Sequence, residues 1–142
     1  MEVPIHLLHD GAQRPRYATA GSCGFDLCTG EAATIAAGEI ALVGTGVVLA
    51  TPPGWCLLVC LRSSTPRRFG VLQPHAVGIV DEDYQGPEDE VRLQLLNFTR
   101  APTTIPAGSR IAQGVFVRAA RAAWSEHDPG PSSRGGFGST GA

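Results

Sequence analysis

Apolar runs in this chain stop early, and they stop at Gly or Pro. Ile40 to Thr51 and Trp55 to Leu61, both rich in Val and Leu, are separated by Pro52, Pro53 and Gly54. They read as two strands joined by a tight turn. Val77 to Val80, Val91 to Phe98 and Arg110 to Val117 repeat the pattern, none longer than about eight residues. With 18 Gly and 11 Pro among 142 residues, a turn signal falls every few residues, which suits short strands and disfavours long helices. The predicted class is all-β, a jelly-roll-like barrel or sandwich. One segment is ambiguous: Arg118 to Trp124, RAARAAW, has the composition of a helix but no convincing N-cap after the strand-like Val115 to Val117.

A chain of this length holds about one domain around one core. Beyond Ser125 it turns polar and rich in Pro and Gly, so the compact β domain is placed at 1–128 and a flexible C-terminal arm at 129–142. The arm ends SSRGGFGSTGA. Its lone aromatic, Phe137, is flanked by Gly and by hydroxyls, as suits stacking on a planar ligand with donors to an anion nearby.

The formal net charge is −2, so no global basic field points to DNA or RNA as a polymer partner, and an anion has to be met by a local cluster. All eleven basic residues are Arg, whose planar guanidinium binds phosphate in bidentate fashion. Cys23, Cys28, Cys56 and Cys60 lack the spacing of a zinc site; between disulfides and buried free thiols of a reducing compartment, the second is the favoured reading. Met1 to Asp10 lacks the basic start and apolar core of a signal peptide, and no apolar run approaches the ~18 residues of a membrane span. A soluble, cytoplasmic protein without membrane contact is expected.

Four segments place polar residues where a plain β core needs none. In GSCGFDL, Gly21 to Leu27, Asp26 taken alone reads as a turn cap. In LRSSTPRRFG, Leu61 to Gly70, an apolar strand delivers Arg62, Ser63 and Ser64 together, either as an anion site or as a solvated turn; without G-x-x-x-x-G-K it is no Walker loop. In GIVDEDYQG, Gly78 to Gly86, Asp81 directly follows an apolar run. Partial desolvation there makes its carboxylate a stronger base toward a bound water, with Tyr84 three residues on. In GSRIAQGVF, Gly108 to Phe116, Gln113 interrupts an apolar strand and needs a partner, a ligand phosphate or a backbone carbonyl.

Taken in order, ATAGSCGFDL, RSSTPRRFG, GIVDEDYQG, GSRIAQGVF and GGFGSTG resemble the five motifs of the trimeric deoxyuridine triphosphatase (dUTPase) family, spanning Ala18 to Gly141. The resemblance implies a jelly-roll-like fold and a homotrimer with active sites between subunits. It implies Mg²⁺-dependent hydrolysis of dUTP to dUMP and pyrophosphate, which keeps uracil out of DNA and supplies dUMP for thymidylate synthesis. Carried over, Asp81 activates the water that attacks the α-phosphorus, and Tyr84 packs on the deoxyribose so that a ribose 2′-hydroxyl clashes. Arg62, Ser63, Ser64 and Gln113 hold the phosphates. The hairpin from His75 through Gly78, Ile79 and Val80 to Asp81 reads uracil largely through its backbone. Arg92 matches a basic residue frequent in the family, and Asp26 supports the metal–phosphate region indirectly, through water or phosphate. In the arm, Phe137 stacks on uracil while Gly138, Ser139 and Thr140 close over the phosphates.

Three features depart from the family pattern. Ser132 stands where the family has an arginine before GGFG, with Arg134 two residues later as its candidate replacement. His75 replaces a frequent Asn. Pro87, Glu88 and Asp89 add about three residues before EVRLQLLN, which should lengthen an exposed turn. Two rival readings are dCTP deaminase, which needs a glutamate where VRLQLLN has Gln94, and a non-catalytic nucleotide-binding trimer. Gln cannot act as a general base, and a pure binder has no need of Asp81.

Overall fold

The structure, a computed structural model describing residues 1–133 and 135, is built almost wholly of strands. In chain order these are β1 (Ile5–Leu7), β2 (Arg16–Tyr17), β3 (Phe25–Cys28), β4 (Ala33–Ile35), β5 (Ile40–Gly44), β6 (Val47–Leu49) and β7 (Trp55–Leu61). A short helix α1 (Thr65–Phe69) follows, then β8 (Val71–Leu72), β9 (Gly78–Val80), β10 (Arg92–Asn97), β11 (Thr103–Ile105) and β12 (Arg110–Arg118). A five-stranded sheet, β2-β3-β12-β7-β9, packs with a three-stranded sheet, β5-β10-β8, and with two strand pairs, β1-β6 and β11-β4. All pairings are antiparallel. This is the expected jelly-roll β fold.

The core follows from the period of two along each strand. Leu93, Leu95 and Asn97 of β10 point inward while Arg92, Gln94 and Leu96 face outward; Leu57 and Val59 of β7 meet Phe25 and Leu27 of β3 in the same cluster. Buried Asn97 is tolerated because its amide donates to the Ile35 and Ala101 carbonyls at 3.0 and 2.8 Å, and its carbonyl accepts from the Thr99 amide and hydroxyl at 2.9 and 2.7 Å.

Several local expectations are corrected. The apolar run Ile40 to Thr51 is two strands in different sheets. It breaks where buried Thr45 donates its hydroxyl to the Val91 carbonyl at 2.7 Å and Gly46 adopts φ +68°, so β5 joins β10 while β6 joins β1. The Pro52–Gly54 turn is present, yet β6 and β7 do not pair: β7 crosses into the five-stranded sheet between β12 and β9. RAARAAW is no helix. The strand β12 runs through Arg118, and residues 119–133 are exposed and form neither helix nor strand, because four alanines and one Trp offer no apolar stripe worth burying. The four cysteines are free, but Cys23 is exposed and the other three are only half-buried, since Cys28, Cys56 and Cys60 lie on the outward positions of β3 and β7. No helix among the described residues is long and apolar enough to cross a membrane.

Candidate active site

The register of the five-stranded sheet assembles one cluster. Gln113 of β12 stands directly opposite Asp26 of β3 and Cys60 of β7, so these three share the outward face of neighbouring strands. Asp26 is therefore a strand residue and not a turn cap. Arg62 leaves the end of β7 and brings Nη1 to 2.9 Å from Asp26 Oδ2. Arg110, at the start of β12, donates to the same oxygen at 3.1 Å. The Arg62 contact is an ion pair by distance only: its buried Nη1 has no aligned hydrogen-bond acceptor among the described residues. One carboxylate thus holds two guanidiniums and leaves donors on Arg62 unspent. Burial, then the charge of Asp26, pushes the nearby Cys28 thiol up, so it stays a neutral filler beside the cluster.

Local packing fixes the turn that carries this arginine. The Arg62 amide donates to the Ile111 carbonyl at 2.9 Å, and buried Thr65 donates its hydroxyl to the same carbonyl at 2.7 Å. Ser63 is exposed, and Ser64 caps α1 with its backbone but without a side-chain capping bond. A hollow of about 470 Å³ opens beside Asp26, and Arg14, Arg16 and Arg110 give it a positive lining.

A second cluster forms on the β9 hairpin. Asp81, Tyr84 and Arg92 line a hollow of about 220 Å³ together with Ile79 and Val80. Glu90 organises it: its backbone carbonyl accepts from the Tyr84 hydroxyl at 3.2 Å, Oε1 pairs with Arg92 Nε at 2.9 Å, and Oε2 accepts from the Gly46 amide at 2.7 Å. Upstream, His75 and Gly78 sit beside buried Gln73. The desolvation expected of Asp81 is absent from a single chain. Asp81 is exposed, and the strand it terminates is not buried, with Ile79 67% exposed.

The two clusters lie at opposite ends of β7. Val80 pairs with Leu57, which sets Asp81 level with Cys56, whereas Gln113 is level with Cys60 and Arg62 follows Leu61. At about 3.3 Å per residue, four to six residues of strand separate Asp81 from Gln113 and Arg62 by roughly 13–20 Å. Gln94, the position that matters for deamination, lies on the outward side of β10 opposite Leu42. Arg134, Phe137, Gly138, Ser139 and Thr140 lie outside the described residues. Sequence reasoning missed Arg110, Gln73 and Glu90; the first and third stand in quoted segments, GSRIAQGVF and EVR, and the second is betrayed only by contacts across the fold.

Fold and clusters together define an all-β protein that gathers arginines around one carboxylate, a setting suited to an anionic ligand. The dUTPase family model matches residues 10–141, and the chain belongs to the dUTPase family. It is 41% identical over 145 residues, 99% of this chain and 79% of the relative, to a deoxyuridine 5′-triphosphate nucleotidohydrolase of Thermobifida fusca. Among solved structures it resembles a dUTPase from Streptococcus mutans, 31% identical with a TM-score of 0.76 over 84% of this chain and 98% of that one. A dUTPase from phage phi11 of S. aureus, described as coordinating a structural Mg(II) ion, shares the fold with a TM-score of 0.82 at 18% identity, covering 93% of this chain and 100% of that one.

Proposed function

We propose that the motif segments form one active site shared between copies of this chain, in which Asp81 of one copy serves phosphates held by Arg62, Ser63, Ser64 and Gln113 of another. As a dUTPase the chain hydrolyses dUTP to dUMP and pyrophosphate. The observation that supports a shared site is the separation along β7: a triphosphate is far shorter than the strand between Asp81 and Arg62. A homotrimer with three such sites accounts for it, and a neighbouring copy supplies the desolvation that the exposed Asp81 lacks. Its carboxylate then takes a proton from the water that attacks the α-phosphorus, the bond to the leaving pyrophosphate breaks, and the proton stays on Asp81 until solvent removes it.

Asp26 prepares the phosphate site by holding Arg62 and Arg110 in place before an anion arrives, so less ordering remains to be done on binding. The unspent donors of Arg62 are what a phosphate oxygen accepts from. Tyr84, anchored through Glu90, presents its ring to the sugar beside Arg92, and the hairpin His75, Gly78, Ile79, Val80 reads uracil. Mg²⁺ fits as a passenger of the triphosphate: among the described residues no three acidic, His or Cys groups converge to hold a metal, and the facing oxygen of Asp26 is taken by two arginines. Mg²⁺ usually rests on substrate phosphates with few protein ligands, so Asp26 would support it indirectly, through water or phosphate, and the ion would supply charge neutralisation on the phosphates. The arm, 129–142, closes as a lid with Phe137 on the base, Gly138, Ser139 and Thr140 over the phosphates, and Arg134 in place of the missing family arginine. A free nucleotide as substrate supports a cytoplasmic location for the enzyme.

Assaying the purified chain for pyrophosphate from dUTP and for ammonia from dCTP tests this reading. Pyrophosphate without ammonia is expected. Ammonia release, or binding of dUTP without turnover, overturns it.

A further inference from the structure

Gln73 is a polar side chain in an apolar place. It is 8% exposed and its Oε1 is buried with no hydrogen-bond partner among the described residues, a cost that an aliphatic residue avoids. Its amide nitrogen is fully engaged: Nε2 donates to the Val59 carbonyl at 3.2 Å and lies 3.0 Å from His75 Nε2. The Val59 oxygen can only accept, so it fixes which way round the amide sits; the reverse orientation sets two acceptors against each other. One amide hydrogen is spent on Val59, and the second points at His75 Nε2. That nitrogen is therefore the acceptor, and the neutral imidazole carries its proton on Nδ1.

The main chain keeps the two side chains together. The Ala76 amide donates to the Gln73 carbonyl at 3.0 Å, the Val77 amide to the His75 carbonyl at 2.7 Å, and Ala76 is held at φ +63°, a strained value for a residue other than Gly. Gly78 packs against the pair: a Cβ there would stand 3.3 Å from Gln73 Nε2 and 3.6 Å from His75 Nε2. The Gly78 backbone and the imidazole thus lie side by side, and His75 itself is exposed.

We propose that Gln73 is a positioning residue that locks His75 in the Nδ1–H tautomer, so that the hairpin offers the base a donor which accepts uracil and rejects cytosine. This rests on the reading of 75–81 as the uracil hairpin. Uracil presents a carbonyl oxygen at the position where cytosine presents an amino group. A fixed Nδ1–H satisfies the first and meets the second donor to donor. An imidazole free to change tautomer, by contrast, accommodates both.

Long-range ¹H–¹⁵N NMR of the full chain labelled in histidine, with the His75 signal identified by its loss in His75→Asn, reads the tautomer directly. A protonated Nδ1 and an unprotonated Nε2 are expected, and the reverse pattern overturns the proposal even if no Gln73 variant folds. In Gln73→Leu the single Nδ1–H pattern is lost, and the ratio of kcat/KM for dUTP over dCTP falls about tenfold, the scale of losing one recognition contact. An unchanged ratio in a variant whose parent hydrolyses dUTP overturns the proposal alone; a parent that does not hydrolyse dUTP overturns the functional reading beneath it.

Discussion

Asp26 and Arg62 meet at 2.9 Å although they are far apart in sequence, because β12 lies between their strands and pins both. The carboxylate side chain is 14% exposed and also holds Arg110. Asp26→Asn keeps the shape and removes the charge that organises the two guanidiniums. It is expected to raise KM for dUTP about tenfold, equivalent to about 1.4 kcal/mol, with a smaller change in kcat. Steady-state kinetics at fixed ionic strength checks this; an unchanged KM shows that the arginines hold their positions unaided.

Tyr84 is 40% exposed, and its hydroxyl donates to the Glu90 carbonyl at 3.2 Å. Tyr84→Ala is expected to relax sugar selection, raising turnover of UTP relative to dUTP, because the clash with a 2′-hydroxyl goes with the ring. Competition between the two nucleotides measures it. An unchanged preference assigns the exclusion to another residue.

Gly114 sits mid-strand in β12, where glycine is usually a weakness. Here a Cβ would stand 2.5 and 2.6 Å from Phe25 Cζ and Cε2 and 2.9 Å from Leu57 Cδ1. Gly114→Ala therefore overpacks the core and is expected to cost about 1–3 kcal/mol. Urea unfolding reads the loss. Stabilisation instead shows that Phe25 repacks freely.

Much of this molecule was legible in its sequence because turn chemistry is local. Pro and Gly marked the strand ends, and the five motif segments carry their residues at short spacing. What was not legible depends on partners distant in sequence. Asp26 looked like a turn cap because nothing in GSCGFDL shows that β12 will set Gln113 opposite it. The break at Thr45 and Gly46 exists because Thr45 bonds to Val91, beyond any local window. Asp81 looked desolvated because an apolar run precedes it, yet the outward face of β9 is open in a single chain. Nothing local marks Gln73, whose amide meets the Val59 carbonyl from the loop between β8 and β9.

The arm offers a separation of folding from function. Deleting 132–142 is expected to change unfolding free energy by less than about 0.5 kcal/mol, while turnover falls sharply with loss of the proposed lid. Within it, Phe137→Ala is expected to cost about 1–3 kcal/mol of binding, as for one aromatic–base stack. Arg134→Ala is expected to weaken dUTP more than dUMP, since only the triphosphate carries the group it would contact. Equal effects on both nucleotides make Arg134 a bystander.

The central claim is that Asp81 and Arg62 act on one substrate from different copies of the chain, and subunit mixing tests it most directly. Asp81→Asn alone is expected to lose about 10²–10⁴-fold in kcat, as for removal of a general base, and Arg62→Ala is expected to lose phosphate binding. When the two inactive variants are unfolded together and refolded as mixed oligomers, some interfaces unite an intact Asp81 with an intact Arg62, and activity returns to a sizeable fraction of wild type. Mixed oligomers, verified by a mass tag on one variant, that stay as inactive as either parent contradict the account and place both residues in the service of the same chain.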